Sequence, residues 1–392
     1  MAARKKVPAK APPKSKATPT PKAEPKRALT EPEVKTTGRL VKLAEAVLAQ
    51  IEKRKHPSIG VPSRTLSNTY YDEKRRIVQL GSDKTNRAFF NAAMAKKFMQ
   101  TFLVADACKD LVASGKTTSI RDLYYMTKHT LGETRDNTFD DQIESDPIIE
   151  DLEVTVNSLR EELHLFASNK GAMAGELTLV DAGDTIDLRR VGSGGWSVPS
   201  IVESDVIEFK KCDAKYVILV EKDAVWRRFN EDKFWRKNKC IIVHGGGQPP
   251  RGVRRLLRRM NEELKLPVYV LVDNDPWGFY IYSVVKQGSI NLAYESMRMA
   301  VPSARFIGLS AFDREKFALP NNVTIKLDET DISRTKQMLG YKWFDKPQWK
   351  RELDYMVKSG VKLELEALSA KGISFITEEY MPKKLGDRDW LE

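Results

Sequence analysis

The stretch that decides the fold is an apolar run ending in acids, Val268-Tyr269-Val270-Leu271-Val272-Asp273-Asn274-Asp275. Similar apolar runs occupy residues 216–220 and 241–243, and residues 306–309 resemble a fourth. Segments of helical length separate these runs. Short apolar strands that alternate with helices are typical of a buried parallel sheet, so the second half of the chain is predicted to be an α/β domain.

Acidic residues follow the first and third of these strands. Glu221 comes directly after residues 216–220, and Asp273 and Asp275 end the run quoted above. Because the carboxyl ends of parallel strands meet at one edge of a sheet, we expect the three carboxylates to lie together. Each acid could simply cap the loop after its strand. Three clustered carboxylates repel one another without a cation, however, and their oxygens suit Mg²⁺, so the pattern favours a magnesium site.

A basic helix is predicted after the second strand. It opens at 248–250 and carries five arginines on one face, opposite an apolar face. These arginines are Arg251, Arg254, Arg255, Arg258 and Arg259. Arginine stripes are often only solvated, and Glu262 and Glu263 follow closely. Beside a carboxylate cluster, unpaired guanidinium groups suit a phosphate backbone, so we predict that this face contacts double-stranded DNA.

The first half of the chain is predicted to contain a compact helical unit. Helices are expected at 86–113, from after a cap at Thr118 or Ser119 through Leu131, and at 147–162. Strands at 163–167 and 176–180, which a turn joins into a hairpin, are expected to follow. Three helices closed by a β-hairpin form the outline of a winged helix, a relative of the helix-turn-helix DNA readers.

The second predicted helix separates two adjacent tyrosines. Helical spacing places Tyr124 on the buried face, whereas Arg121, Tyr125 and His129 follow one another at four-residue steps on another face, with Lys128 beside them. Lys128 and His129 are therefore further candidate DNA contacts. An exposed tyrosine between cations can be merely structural; it can also act as a nucleophile, because nearby positive charge favours the phenolate.

The basic charge of the chain is concentrated at its start. The 392 residues have a formal net charge of +12, of which +8 belongs to residues 1–30. Six prolines in this segment disfavour helix and sheet, so residues 1–35 are predicted to be a disordered arm that attracts polyanions or maintains solubility. Nuclear import is a weaker interpretation of the same lysines. An amphipathic helix at 40–51 and a linker at 58–84, with a short strand near 77–80, are expected to follow. The helix either packs on its own core or binds a partner.

Several classes of protein are excluded by composition and spacing. Three scattered cysteines fit neither a disulfide framework nor a zinc site, and no apolar run reaches the ~18 residues of a membrane span. With no secretion signal apparent, we expect a protein of a reducing compartment that has no membrane partner. Gly115-Lys116-Thr117 imitates a P-loop, but Asp110 stands where the first glycine belongs. This chain is therefore not expected to hydrolyse ATP.

The order of these features resembles a known family. A tyrosine-bearing winged helix, then Val220-Glu221-Lys222, then Asp273-Asn274-Asp275-Pro276-Trp277-Gly278 is similar to the A subunits of DNA topoisomerase VI, the archaeal type IIB enzyme. Eukaryotic relatives include the meiotic double-strand-break protein. The resemblance covers about residues 60–385, including 62–68 and 280–294, and its Gly-x-Pro-x-x-x-x-Arg motif is echoed at 247–254. Many meiotic relatives have Asp where Pro250 stands here.

The resemblance implies a CAP-like winged helix at 85–195 and a Toprim domain with C-terminal helices at 205–392, preceded by the tail at 1–35 and a helix and linker at 36–84. It implies that Tyr125 is the nucleophile, that Arg121 assists it, and that Glu221, Asp273 and Asp275 hold Mg²⁺. Tyr125 would form a transient 5′-phosphotyrosyl bond, so that the enzyme relaxes and decatenates DNA.

The resemblance also implies partners and a location. Each active site would combine two protomers of a homodimer, and a separate GHKL-type ATPase B subunit would complete an A2B2 heterotetramer. The chain would work in the archaeal cytoplasm, or in the nucleus of a eukaryote. Two alternatives remain: a meiotic-type transesterase that breaks DNA without strand passage, and a non-enzymatic architectural DNA-binding protein.

Overall fold

The helix α1 (Glu31–Glu52) begins inside the segment predicted to be a disordered tail. The computed structural model describes residues 27–392, so most of that tail, residues 1–26, lies outside the described residues. Residues from Glu31 onward are helical because Pro32 stands in the first turn and the Glu33 carboxylate accepts a hydrogen bond of 2.8 Å from the Thr30 amide. The boundary predicted after residue 35 is therefore wrong.

The helix α1 packs on its own domain, as one of the two interpretations predicted. Leu40 and Val47 are buried in the hydrophobic core of the N-terminal half. Leu48 and Ile51, which share the predicted apolar pattern, are exposed instead. The apolar stripe is thus wider than the face that this domain covers.

The segment predicted as a linker is largely β-structure. It contains β1 (Ser58–Pro62), β2 (Thr69–Asp72), β3 (Ile77–Leu80) and β4 (Lys84–Ala88). Strand β1 pairs with β4 and β2 pairs with β3, both antiparallel. The short strand expected at 77–80 is confirmed. The other strands were missed because they are short and their few apolar residues do not form a continuous run; in β1, buried Ile59 and Val61 are separated by exposed Gly60.

The helical unit has the three predicted helices, with shifted ends. They are α2 (Ala92–Ser114), then after β5 (Thr118–Ser119) α3 (Ile120–Thr127), and α4 (Gln142–Val156). Helix α2 begins later than predicted because β4 occupies residues 84–88. Helix α4 begins before Pro147 because the Asp141 side chain caps it.

The predicted β-hairpin does not form. Residues of its first strand make β6 (Leu165–Phe166), which pairs in parallel with β5. The chain then forms β7 (Ala172–Gly175), β8 (Leu177–Asp181), β9 (Asp184–Asp187), β10 (Trp196–Ser197) and β11 (Ile207–Cys212). Strands β8, β9 and β11 make an antiparallel sheet, whereas β7 and β10 extend the sheet of the second half. The helical unit therefore ends near residue 166 and does not extend to 195.

The second half is the predicted α/β domain. Its elements are β12 (Val217–Val220), α5 (Asp223–Glu231), α6 (Phe234–Asn238), β13 (Ile241–His244), α7 (Arg251–Glu263), β14 (Val268–Leu271), α8 (Pro276–Gln287), α9 (Ser296–Met299), β15 (Arg305–Phe306), α10 (Asp313–Lys316), β16 (Ile325–Lys326), α11 (Glu329–Leu339), α12 (Pro347–Ser359), β17 (Val361–Lys362) and α13 (Met381–Gly386). None of the helices within residues 27–392 is long and apolar enough to cross a membrane.

The central sheet has the spatial order β10, β7, β13, β12, β14, β15, and its four apolar strands are parallel as predicted. Alternate side chains enter two hydrophobic cores: Val217 and Leu219 face one, Ile218 and Val220 the other. Because both faces are covered, every residue of β12 is buried, which explains the continuous apolar run.

Candidate active site

The three predicted carboxylates stand at the carboxyl edge of the central sheet. Strands β12 and β14 are neighbours, with Val220 opposite Leu271 in register. Glu221 follows β12 directly, and its carboxylate accepts a hydrogen bond of 3.0 Å from the Asp273 amide. The topology therefore brings together Glu221 and the Asp-x-Asp loop across 52 residues of sequence.

Backbone hydrogen bonds fix both aspartates of this loop. Asp273, which is 3% exposed, accepts a bond of 2.7 Å from the Leu365 amide. Asp275 caps α8 by accepting a bond of 2.6 Å from the Gly278 amide. Gly278 itself lies so close that a Cβ there would be 2.5 Å from the Asp273 carbonyl oxygen. The tight loop requires glycine at this position.

Burial disfavours the charged form of all three acids. It raises the pKa of Glu221 to about 7, and the neighbouring Asp273 carboxylate contributes to the rise. Burial also raises the pKa of Asp273 to about 6, against the opposing effect of a hydrogen bond from Lys222. The pKa of Asp275 is raised by burial as well, although the Gly278 amide opposes the rise. The site therefore holds an excess of buried negative charge that a cation would relieve.

Two lysines place positive charge beside these acidic side chains. Lys222 lies 2.9 Å from Asp273, and Lys362 lies 2.7 Å from Asp331, whose charge acts on Asp275. Burial alone would lower the pKa of Lys222, but hydrogen bonds to Glu366 and Asp273 outweigh it and raise that pKa. Neither lysine was predicted from the sequence, because their acidic partners are distant in the chain.

The donor set of the site fits magnesium. Glu221, Asp273 and Asp275 offer hard carboxylate oxygens at one sheet edge, and their mutual repulsion favours a dication. Across residues 27–392, no three acidic, histidine or cysteine side chains are arranged as a ready metal cluster. One oxygen of Asp273 is in contact with the Lys222 ammonium.

The two adjacent tyrosines have the different environments that helical spacing predicts. Tyr124 is 6% exposed; its hydroxyl donates to the Asp140 carbonyl at 3.1 Å and accepts from the Lys128 ammonium at 2.8 Å. Tyr125 is 61% exposed. Arg121, one turn earlier on α3, is also exposed. The structure thus presents Tyr125 and Arg121 together on an open helix face.

The rest of the predicted basic stripe on α3 is different. Helix α3 ends at Thr127, so Lys128 and His129 lie beyond it. Lys128 has an extended backbone, and the His129 amide donates to the Thr138 hydroxyl at 2.8 Å, so the helix does not continue through these residues. The predicted four-residue helical step from Tyr125 to His129 is therefore wrong. The Lys128 ammonium donates its hydrogen bond to the Tyr124 hydroxyl.

The five arginines of α7 are not unpaired, contrary to the prediction. Each makes an ion pair with glutamate: Arg251 with Glu153, Glu161 and Glu295, Arg254 with Glu295, Arg255 with Glu203, Arg258 with Glu262, and Arg259 with Glu263. Arg254 and Arg259 are only 4% and 2% exposed. Four of these glutamates are remote in sequence, so spacing could not reveal them. Arg251 thereby joins the α/β domain to the helical unit, and none of the five is the unpaired guanidinium group that the predicted DNA contact assumed.

The nucleophile candidate and the carboxylates occupy different domains. Among the described residues, no hydrogen bond or ion pair links Arg121 or Tyr125 to the loop that carries Asp273 and Asp275.

Models of known protein families match three successive regions of the chain. Residues 216–385 match the Toprim domain that is described as common to Spo11 and the topoisomerase 6 A chain. Residues 96–165 match the family "Type IIB DNA topoisomerase", and residues 169–213 match the all-beta domain of the DNA topoisomerase VI alpha chain. The last match coincides with the β-region that replaces the predicted hairpin.

Whole-chain relatives agree with these matches. The chain is 44% identical over 362 residues to the A subunit of type 2 DNA topoisomerase 6 from Hyperthermus butylicus, covering 88% of this chain and 93% of that protein. It is 41% identical to the protein of the same name from Pyrococcus abyssi, covering 92% and 97%. It is also 35% identical to the A3 subunit of DNA topoisomerase 6 from Oryza sativa subsp. indica, covering 91% and 78%.

Proposed function

The chain belongs to the family of DNA topoisomerase 6 A subunits, and we propose that Tyr125 is the nucleophile with which it breaks and reseals double-stranded DNA. As a member of this family it is the DNA-cleaving subunit of a type IIB topoisomerase, an isomerase. The observation that carries the proposal is the contrast on α3: Tyr124 is buried and hydrogen-bonded, whereas Tyr125 is 61% exposed.

The proposed step exchanges one phosphoester for another. The Tyr125 oxygen, having lost its proton to the solvent, attacks a backbone phosphorus in line. The bond from phosphorus to the 3′-oxygen breaks, and that oxygen takes up a proton as it leaves. A 5′-phosphotyrosyl bond replaces the phosphodiester, so the reverse reaction reseals the strand without an external energy source.

Arg121 supports the nucleophile through its charge. A free tyrosine ionises at a pKa of about 10, so positive charge is needed to favour the phenolate near neutral pH. Arg121 lies one helical turn before Tyr125 and is exposed on α3. In this position its guanidinium group can also stabilise the charge that develops on the phosphate.

Glu221, Asp273 and Asp275 are the proposed ligands of Mg²⁺. When bound, Mg²⁺ would neutralise charge on the transferred phosphate and on the leaving oxygen. Backbone amides orient two of these ligands: Asp273 accepts a hydrogen bond from the Leu365 amide and Asp275 accepts one from the Gly278 amide.

The proposed assembly is a homodimer combined with an ATPase B subunit. Tyr125 and the carboxylates lie in different domains, and no hydrogen bond joins them within the described residues, which supports an active site that combines the tyrosine of one protomer with the carboxylates of the other. Gly115-Lys116-Thr117 lacks the first glycine of a P-loop, which supports an ATPase on a separate chain. We place the enzyme wherever the chromosome lies: the cytoplasm of an archaeon or the nucleus of a eukaryote.

A matched pair of tyrosine variants tests the nucleophile. With the B subunit, Mg²⁺ and ATP, the parent chain should relax supercoiled plasmid and should become covalently attached to DNA 5′ ends. Tyr125→Phe should abolish both relaxation and attachment. Tyr124→Phe should keep both, because it loses only hydrogen bonds worth about 1 kcal/mol each. Covalent attachment with Tyr125→Phe but not with Tyr124→Phe would overturn the assignment.

The same assay separates the alternative activities. A transesterase without strand passage would attach to DNA ends without relaxing the plasmid. An architectural protein would shift DNA in a gel and give no adduct with either tyrosine present.

A further inference from the structure

One lysine connects a proposed metal ligand to two acids outside the ligand set. The Lys222 ammonium lies 2.9 Å from Asp273 Oδ2, 2.7 Å from Glu366 Oε2 and 3.1 Å from Glu364 Oε2. The Asp273 side chain is 4% exposed, whereas those of Glu364 and Glu366 are 45% and 46% exposed. Lys222 therefore sits at the boundary between the buried site and the surface.

The two outer glutamates belong to a segment that the backbone ties to the site. Residues 361–366 cross the Asp-x-Asp loop: the Asn274 amide donates to the Leu363 carbonyl at 2.8 Å, and the Leu363 amide returns a bond of 3.1 Å. The Leu365 amide holds Asp273 Oδ1 at 2.7 Å. Glu364 and Glu366 are thus fixed beside Lys222 by the same contacts that orient Asp273.

These contacts leave Asp273 with one oxygen on a backbone amide and the other on an ammonium group. A dication that approached Oδ2 would meet the Lys222 charge at a distance where two cations repel strongly. Lysine has a flexible four-carbon stem and can move without disturbing the backbone. Glu364 and Glu366 already contact the ammonium, so it can leave Asp273 and remain paired.

We propose that Lys222 is a resident counter-ion that occupies Asp273 until the metal binds, and that Glu364 and Glu366 then retain it. The inference rests on the proposed function, since it requires the metal to bind at Asp273. Lys222 is a positioning residue: it sets the affinity for metal by competing for Asp273, and the two glutamates weaken that competition. Without metal, the Lys222 ammonium offsets part of the negative charge of the buried carboxylates.

Counting bound Mn²⁺ on the full-length chain, by electron paramagnetic resonance of the free ion, tests the competition without any activity assay. Lys222→Met should tighten Mn²⁺ binding on the order of tenfold, because it removes a unit charge beside the metal. Lys222→Arg keeps the charge, so its Mn²⁺ affinity should stay within a few-fold of the parent's. This variant controls for effects of replacing Lys222 on folding. The control Lys109→Met removes an equal charge from α2 and should change nothing. An unchanged or weaker affinity in folded Lys222→Met would overturn the proposal.

A double-mutant cycle tests the role of the two glutamates. Glu364→Gln with Glu366→Gln should weaken Mn²⁺ binding several-fold in the parent, because Lys222 then has Asp273 as its remaining partner. In the Lys222→Met background the same pair of changes should alter the Mn²⁺ affinity by less than about twofold, since solvent and salt screen the charge of these exposed carboxylates from the metal. An equal effect in both backgrounds, or a lower number of bound ions, would mean that the glutamates act directly on the metal and would overturn the proposal.

Asp275→Asn distinguishes failure of this inference from failure of the metal assignment. If it abolishes Mn²⁺ binding while Lys222→Met leaves the affinity unchanged, the metal site stands and the counter-ion role is wrong. If Asp275→Asn leaves Mn²⁺ binding intact, the metal assignment is wrong, and the proposed role of Lys222 is then wrong as well.

Discussion

Replacing Glu221 with glutamine should stabilise the metal-free protein at alkaline pH while removing metal-dependent cleavage. Burial and the neighbouring carboxylates raise the pKa of Glu221 from 4.5 to about 7. Since the folded pKa lies above the unfolded value, both states hold the proton below pH 4.5, and this group does not oppose folding there. As the pH rises from 4.5 through 7, the folded state must release a proton that it holds more tightly, and stability is lost.

The size of the effect follows from that shift. A rise from 4.5 to about 7 corresponds to about 3 kcal/mol of lost stability above pH 7. Glutamine has nearly the same shape and can still accept the 3.0 Å hydrogen bond from the Asp273 amide. A neutral acceptor forms a weaker bond by about 1 kcal/mol, so a net gain of about 2 kcal/mol is expected.

Urea unfolding in EDTA, followed by tryptophan fluorescence, measures this gain. Glu221→Gln should raise the free energy of unfolding at about pH 8.5, and the difference should shrink towards zero near pH 5. Adding Mg²⁺ should then stabilise the parent and not the variant. The exposed Glu133→Gln is the matched control and should change neither value. A Glu221→Gln variant that is no more stable than the parent at the alkaline pH, or equally stabilised at both pH values, would refute the argument.

Three further changes probe the loop, the interdomain ion pairs and the tail. Gly278→Ala should weaken Mn²⁺ binding, measured by titration, because its Cβ would meet the Asp273 carbonyl oxygen at 2.5 Å; unaltered affinity would show that the loop can yield. Arg251→Ala should lower the free energy of unfolding by about 3–5 kcal/mol, because it removes one ion-pair partner from three buried glutamates and leaves Glu161 with none among the described residues, whereas the exposed Arg190→Ala should stay within about 0.5 kcal/mol; equal losses would contradict the burial argument. Deleting residues 1–26, which carry most of the basic excess, should weaken DNA binding at moderate salt and spare covalent cleavage, and lost cleavage would give the tail a catalytic role.

Local patterns in the sequence determined much of this protein. Continuous apolar runs identified the parallel strands, because a strand covered on both faces has no polar positions. The acids that end those strands marked the candidate site, since parallel strands direct their carboxyl ends to one edge. Helical spacing separated buried Tyr124 from exposed Tyr125, because adjacent residues on a helix point in different directions.

Only the tertiary structure decided how distant segments pair. The first strand of the expected hairpin pairs with β5, and β7 extends the central sheet, because strand pairing depends on which edges the fold brings together. The arginines of α7 and the ammonium of Lys222 find carboxylates that are mostly remote in sequence. Periodicity and propensity are properties of neighbouring residues, whereas ion pairs and sheet edges form between surfaces that meet only when the chain has folded. The sequence therefore determined which groups can do the chemistry, and the fold decided which of them are free to do it.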